Sequence, residues 1–356
     1  MADVYVQTHS GIDVFTTNSS GYLTRTQTDA AVSGQLGAIS GTHLVSIGLD
    51  NLHTYKINSN GTIGSSTAET NSQYFPGSEC GNNTGSTASF DHTGEYFYLQ
   101  LNNYDGCIAM QTYKLASSGA LEFRGNVDWG VDSPSTNVTT ASNDALSYGV
   151  FQQGGQSNEF AAYKRTGAGY LGANPDFYAE MPTGYEDGEG WTYYPELVSA
   201  DPYGDLAAVV YEEDEYGDWD GYYRIASFAI ESDGAIYSNQ NYYNMPYLYN
   251  GSPTVMNASP SGVLMAVGGT SGLAVYHFDQ AQPMGTYIED LLPGIQIDQL
   301  AWDKSNHLYA LSYEADSGYG ALYVFTITPN NDTQTETLYF YPQIVYGNTG
   351  LVVVPK

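Results

Sequence analysis

Thr54-Tyr55-Lys56-Ile57-Asn58-Ser59-Asn60-Gly61-Thr62-Ile63 is the stretch that decides the fold. It reads as a strand ending on an aromatic, a polar turn, and a glycine that introduces a small or apolar pair. The same grammar runs from Val14-Phe15 to Gly21-Tyr22-Leu23 and from Thr112-Tyr113 to Gly119-Ala120-Leu121. It returns from Ala162-Tyr163 to Gly169-Tyr170-Leu171 and from Ser227-Phe228 to Gly234-Ala235-Ile236. Ala274-Val275-Tyr276-His277-Phe278 and Leu322-Tyr323-Val324-Phe325 hold the same place with altered turns, which makes seven copies.

A second element precedes this unit, a turn rich in Asp, Ser, Pro and Gly followed by an apolar strand. Asp91-His92-Thr93-Gly94 leads to Tyr96-Phe97-Tyr98-Leu99, and Asp201-Pro202-Tyr203-Gly204 to Leu206-Ala207-Ala208-Val209-Val210. Ser259-Pro260-Ser261-Gly262 leads to Val263-Leu264-Met265-Ala266-Val267, and Asp303-Lys304-Ser305-Asn306 to Leu308-Tyr309-Ala310-Leu311. Each repeat therefore reads as four short antiparallel strands, a to d, joined by hairpins. Four strands per repeat of roughly 40 to 65 residues indicate propeller blades. No stretch shows a helical period, so helices are expected to be scarce. The expected fold is one all-β, seven-bladed propeller of four-stranded antiparallel blades spanning residues 1–356.

The first repeat starts at its b strand, Val4-Tyr5-Val6-Gln7, and lacks an innermost strand. Placing Gln343-Ile344-Val345-Tyr346 there closes the ring and removes open sheet edges. Leu351-Val352-Val353-Val354 reads as another strand competing for the same blade, and the sequence leaves the choice open.

The segment Phe90-Asp91-His92-Thr93-Gly94-Glu95-Tyr96-Phe97-Tyr98-Leu99, with the strand, turn and glycine grammar around it, resembles bacterial lactonase-type seven-bladed propellers. That group includes 6-phosphogluconolactonase-like and muconate-cyclase-like proteins. The resemblance covers nearly the whole chain at structural positions, so it speaks to fold. It implies an axial pocket in which arginine, histidine and glutamate bind and activate a lactone. Arg25, Arg124, Arg165 and Arg224 are the only arginines, and none matches a family catalytic position.

Lys and Arg number 9 against 39 Asp and Glu, a formal net charge of −30. Such a surface repels nucleic acid, anionic lipid and phosphorylated substrates and attracts cations. No apolar run is long enough to cross a bilayer, so membrane insertion is not expected. The strand-like Val4-Tyr5-Val6 begins almost at once, as after a removed leader, and the expected location is extracellular or periplasmic. Cys80 and Cys107 both belong to the third repeat, and a disulfide between them is expected for an exported chain. Sequons stand at Asn18, Asn60, Asn82, Asn137, Asn250 and Asn331.

Loops that join d to the next a, and b to c, share one propeller face. Residues 181–195 carry Glu186, Asp187, Glu189, Trp191, Tyr193 and Tyr194, and residues 212–223 carry Glu212, Glu213, Asp214, Glu215, Tyr216, Asp218, Trp219 and Asp220. Both loops are expected side by side, an acidic and aromatic cluster in which like charges raise pKa values or recruit a cation. Ca2+ is one reading, with Asp214, Asp218 and Asp220 as ligands, although Tyr216 occupies a ligand position and no glutamate follows at the right distance. Stacking of a glycan on Trp191 and Trp219 is a second, and a solvated acidic loop is a third. His9, His43, His53, His92, His277 and His307 show no ligand or triad spacing.

Two functions follow. The leading one is an exported binding or scaffold propeller that engages protein, including copies of itself, or glycan through loops rich in tyrosine, 34 in all. The rival is a lactonase-like hydrolase of a neutral lactone or sugar, with carboxylates as general base or metal ligands.

Overall fold

The computed structural model describes residues 1–48, 51–71, 83–91, 93–103, 108–128, 138–140, 146–150, 159–167, 169, 171, 177–182, 184–186, 189–201, 206–213, 219–230, 235–238, 240–278, 285–314, 319–328, 331–340 and 350–356. Among them the one helical element is a 3-10 turn, Tyr242–Asn244. The strands form antiparallel sheets, six of four strands and one of six. The four-stranded sheets are the blades of an all-β propeller. The chain divides into two compact units, Met1–Val131 with Thr166–Ala173 and Ala301–Lys356, and Asp132–Arg165 with Asn174–Leu300.

In the first unit one blade runs Gln35–Ile39, His43–Ile47, Asn51–Ile57 and Ile63–Asn71, and the next runs Asn83–Phe90, Tyr96–Asn103, Ile108–Leu115 and Leu121–Asp128. The blade nearest the C-terminus ends with His307–Glu314, Tyr319–Thr328 and Asn331–Phe340. The blade nearest the N-terminus has the order Leu23–Ala30, Ile12–Thr17, Ala2–Gln7 and Leu351–Pro355. The two ends of the chain therefore share a sheet. The closing strand is Leu351–Pro355, in antiparallel register from Ala2↔Pro355 to Val6↔Leu351. Of the two segments between which the sequence leaves the choice open, Leu351–Pro355 takes this place, and Gln343-Ile344-Val345-Tyr346 lies outside the described residues. Leu351 is 3% exposed and packs with Val4, Val6, Tyr309 and Leu311, so it is the apolar residue the closing blade requires.

The second unit holds the blade Val138–Thr140, Leu146–Val150, Glu159–Lys164 and Phe177–Glu180, and the blade Pro253–Ala258, Leu264–Gly269, Gly272–His277 and Gly285–Leu291. Between them in sequence lies the six-stranded sheet. Its order is Gly184–Glu186, Glu189–Ala200, Leu206–Glu213, Trp219–Ile230 and Ile236–Tyr237, and Tyr247–Leu248 also pairs with Trp219–Ile230.

The repeat that the sequence displays is a register. In every sheet the aromatic of the c strand faces one residue of the b strand: Phe15↔Val4, Tyr55↔Leu44, Tyr113↔Phe97, Tyr163↔Ser147, Phe228↔Leu206, Tyr276↔Met265 and Phe325↔Leu308. All seven aromatics are buried. Each contributes roughly 1.5–3 kcal/mol by burial, which fixes the phase of every blade, since a one-residue slip would turn it to solvent.

Two further positions explain the turns. At the a–b hairpin a buried oxygen caps the backbone: Asp91 Oδ1 accepts from the amides of Glu95 and Tyr96, Ser259 Oγ from Leu264, and Asp303 Oδ1 from Ser305 and His307. These aspartates are turn residues whose charge is spent on N–H groups. At the c–d hairpin Gly61 has φ +86°, and a Cβ there would meet the Asp3 carboxylate of the preceding blade at 2.3 Å. Only glycine combines that conformation with that approach.

Candidate functional site

The residues marked as an acidic and aromatic cluster fall at one end of the six-stranded sheet. Its strands Glu189–Ala200 and Trp219–Ile230 are twelve residues each, twice the length of a typical blade strand, and run past the blade. Backbone register pairs Glu186 with Glu189 and Gly184 with Trp191 on one side of the long strand. On its other side Thr192 pairs with Glu213, and Glu213 pairs with Trp219. Glu186, Glu189, Trp191, Glu213, Trp219 and Asp220 are thus neighbours in paired strands, where the sequence suggested two loops. The reason is that Gly184–Glu186 folds back on Glu189–Trp191 as a tight hairpin, which extends the ladder. Asp187, Asp214 and Asp218 lie outside the described residues, as do Cys80, Cys107 and His92. Among the described residues no group of three or more His, Cys, Asp or Glu side chains could hold a metal.

Three to five residues along from Trp219 the same sheet carries a tyrosine array that sequence reading did not assemble. Arg224 is 2% exposed; its Nη1 donates to Met245 O at 3.1 Å and its Nη2 to the Tyr247 hydroxyl at 2.5 Å. Its guanidinium lies 3.8 Å from the Tyr247 ring centroid. Register explains the contact, because Arg224 pairs with Tyr247 and the two share a face with Tyr222 and Tyr249 at alternate positions. The Tyr222 and Tyr249 rings stand 5.7 and 5.9 Å from that of Tyr247. Tyr222 is 51% exposed and Tyr249 77%. On the opposite face burial pushes the Tyr223 hydroxyl pKa up, a hydrogen bond with Ser252 pulls it down, and the Glu196 carboxylate pushes it up again; the net direction is upward. The signal for Arg224 was present in sequence: an arginine in phase with Ala226 and Phe228 on the inward side of an apolar strand.

Asp303, His307 and Tyr309 have the composition of a hydrolytic relay. The Asp303 carboxylate accepts from His307 Nδ1 at 2.7 Å and from the Tyr309 hydroxyl at 3.1 Å, and all three side chains are buried. Burial pushes the Asp303 pKa up, but hydrogen bonds from the His307 side chain, the His307 and Ser305 amides and the His307 charge together hold it below its ordinary value. Burial pushes the Tyr309 hydroxyl far above its usual range. A Cβ at Gly21 would touch His307 Cδ2 at 3.3 Å, so the turn of the neighbouring blade covers the ring. The trio is a clamp between two blades and offers no open face to a substrate.

The remaining cations are peripheral. Arg25 is paired with Asp13 at 3.4 Å and lies 5.3 Å from the Phe15 centroid, at the rim of a shallow depression shared with Thr8 and Tyr339. Arg124 pairs with Glu122 on an outer strand. No helix among the described residues is long and apolar enough to cross a membrane.

No protein-family model and no curated protein matches this chain. Solved structures do. A protein from Lactobacillus plantarum superposes over 99% of this chain and 100% of its own, with 16% identity and a TM-score of 0.65. A provisionally named 6-phosphogluconolactonase from Bacteroides fragilis covers 99% and 98% with 13% identity and a TM-score of 0.65. The periplasmic gluconolactonase of Pseudomonas aeruginosa covers 99% of both chains with 13% identity and a TM-score of 0.63. The chain shares the fold of the lactonase-type β-propellers along its whole length.

Proposed function

We propose that this chain is a single exported propeller of seven blades that hydrolyses an uncharged sugar lactone. The observation that carries this reading is the whole-length likeness to a periplasmic gluconolactonase, joined to a net charge of −30. That charge disfavours the phosphorylated substrate of the 6-phosphogluconolactonase-like neighbours and leaves a neutral lactone acceptable. The register of the six sheets and the extended seventh supports the blade count. Periplasmic residence of one neighbour supports export, and with it a Cys80–Cys107 disulfide.

The reaction asks little of the protein. Water adds to the lactone carbonyl carbon, the ring C–O bond breaks, the departing oxygen takes a proton, and the new carboxylic acid gives one up. A carboxylate acting as base suffices to begin it, and Glu186, Asp187, Glu189, Glu213, Asp214, Asp218 and Asp220, close in sequence to Trp191 and Trp219, are the candidates for that group. Backbone pairing of Glu186 with Glu189 keeps two of these candidates on neighbouring strands, and Ca2+ is the cation that such oxygen ligands suit.

The test is hydrolysis of glucono-1,5-lactone by the purified chain, followed by loss of hydroxylamine-reactive lactone, with the 6-phosphorylated lactone as comparison and Ca2+ or a chelator added. Faster loss of the neutral lactone, reduced in Glu189→Gln or Glu213→Gln, is the expected result. Spontaneous rates for both lactones under all conditions would end the hydrolase reading. The second reading, a binding propeller, is favoured by one observation, the exposed tyrosine array held by Arg224.

A further inference from the structure

Residues 236–249 form an excursion from the six-stranded sheet whose polar groups are tied down. Asn241 caps the 3-10 turn by accepting from the Tyr243 amide, and Asn244 returns the bond by accepting from the Asn241 amide at 2.8 Å. Gln240 Oε1 takes the Ser227 amide of the neighbouring strand, and Gln240 Nε2 donates to Asn244 O. Met245 and Leu248 are buried beneath, 3% and 6% exposed. Tyr222, Tyr243 and Tyr249 nevertheless stay more than half exposed around the half-buried Tyr247. A surface already fixed in place loses little conformational freedom when something docks on it.

Aromatic faces accept cations, other aromatic rings, or the C–H faces of sugars. Arg224 decides among these. Its guanidinium already occupies one face of Tyr247, 3.8 Å from the centroid. A second cation on the outer face would meet a ring whose quadrupole is engaged, with a like charge directly behind it. Anionic ligands are opposed by the −30 charge of the whole chain. What remains is a neutral ring, and the hydrogen-bonding groups around the tyrosines favour a sugar, with its many hydroxyls, over an aromatic ring. The amide side chains of Asn241 and Asn244 and the tyrosine hydroxyls at the rim suit hydroxyl groups.

We propose that Tyr222, Tyr247 and Tyr249, held by Arg224, form a binding site for a neutral glycan; the Tyr222 and Tyr249 rings, tilted 68° and 42° to that of Tyr247, cradle the sugar from different sides. Arg224 is a positioning residue: it fixes Tyr247 and shapes the charge of the site without touching the glycan. The site is separate from lactone hydrolysis and stands whether or not the chain has that activity.

The experiment is titration calorimetry of the full chain with neutral tetrasaccharides of glucose, mannose and N-acetylglucosamine, and with an oligolysine peptide. At least one neutral tetrasaccharide binds, and its affinity is unchanged by added salt. Tyr222→Ala and Tyr249→Ala each weaken it roughly threefold to tenfold, the loss of one stacked ring, while Tyr249→Phe retains it. Both positions are exposed, so the variants fold, and far-ultraviolet dichroism checks this. Absence of binding by every neutral tetrasaccharide overturns the proposal, as does a glycan affinity that both alanine variants leave within about twofold. Oligolysine binding that depends on Tyr249 and vanishes in salt would show a cation site instead.

Discussion

His307 Nδ1 lies 2.7 Å from Asp303 Oδ2 in a part of the protein where neither side chain is more than 1% exposed. A carboxylate only accepts, so Nδ1 carries the hydrogen and the ring is held in one tautomer. The second oxygen of Asp303 is taken by the Ser305 and His307 amides. Asp303→Asn keeps the size but turns a donor toward Nδ1, and the expected loss is about 3 kcal/mol of folding stability. The pH dependence has a definite sign. Because the folded carboxyl is held below its ordinary value, its contribution is whole above about pH 4 and is lost as the pH falls through the lower, folded value. Urea midpoints of wild type and Asp303→Asn at neutral pH and at about pH 3 measure this; the gap narrows in acid. An equal gap at both pH values would refute the assignment.

Gly61 shows how neighbouring blades are keyed together. Its carbonyl accepts from the Tyr5 hydroxyl at 2.7 Å, and burial pushes that hydroxyl's pKa far above its usual range, with the Asp3 charge adding to the effect. An alanine methyl there meets the Asp3 carboxylate in a backbone conformation that L residues avoid. Gly61→Ala is expected to cost about 2–3 kcal/mol. Gly41, where an added Cβ meets nothing within 4 Å, is the control, and Gly41→Ala should leave the thermal midpoint within about 1 °C. Equal effects of the two substitutions would remove the keying role.

Much of this was legible in the sequence because the blade is a period-2 pattern read against a fixed register. Phe15, Tyr55, Tyr113, Tyr163, Phe228, Tyr276 and Phe325 announce the c strands, and glycines such as Gly61, Gly119 and Gly169 announce the close approach of the preceding blade. What escaped has a physical cause. Val352 and Ile344 are equally good strand residues, and only pairing partners more than 300 residues away choose between the segments, as Val6↔Leu351 does. The acidic residues read as loops in the sequence, yet the strands that carry Glu186, Glu189, Glu213 and Asp220 are extensions of a ladder, which propensity alone does not lengthen when Gly190 and Pro195 interrupt it. Arg224 passed as one arginine among four because its role lies in the tyrosine opposite, 23 residues away.

Closure by the last strand predicts a sharp dependence on six residues. Removing Leu351–Lys356 exposes the edge of residues 2–6, deletes the ion pair of Lys356 Nζ with Asp3 at 2.7 Å, and uncovers the cluster around Leu351. An unpaired apolar edge recruits other chains. The truncated protein is expected to aggregate or to lose most of its cooperative unfolding transition, as light scattering and calorimetry would show. Lys356→Ala alone removes a partly exposed ion pair and should cost no more than about 1 kcal/mol. A truncated chain that stays monomeric with an unchanged transition would disprove closure by this strand.

The sequons differ in a way that only the fold reveals. Asn60 is exposed in its hairpin turn, and its Oδ1 accepts from Thr62 Oγ1 at 2.7 Å, which leaves the amide nitrogen facing outward. Asn250 has the same Asn-Gly-Thr/Ser form but is 2% exposed, and its Nδ2 donates to Val267 O at 2.8 Å and to Gly272 O. A glycan on that nitrogen would break both bonds and force a sugar into the sheet. The chain secreted through a glycosylating host and analysed by peptide mass spectrometry is therefore expected to carry sugar at Asn60 and none at Asn250. Asn60→Gln should be stable, whereas Asn250→Ala removes two buried hydrogen bonds and is expected to cost about 1–3 kcal/mol. Occupancy at Asn250 in folded protein would contradict the burial of its side chain and, with it, the packing of the turn that precedes Pro253–Ala258.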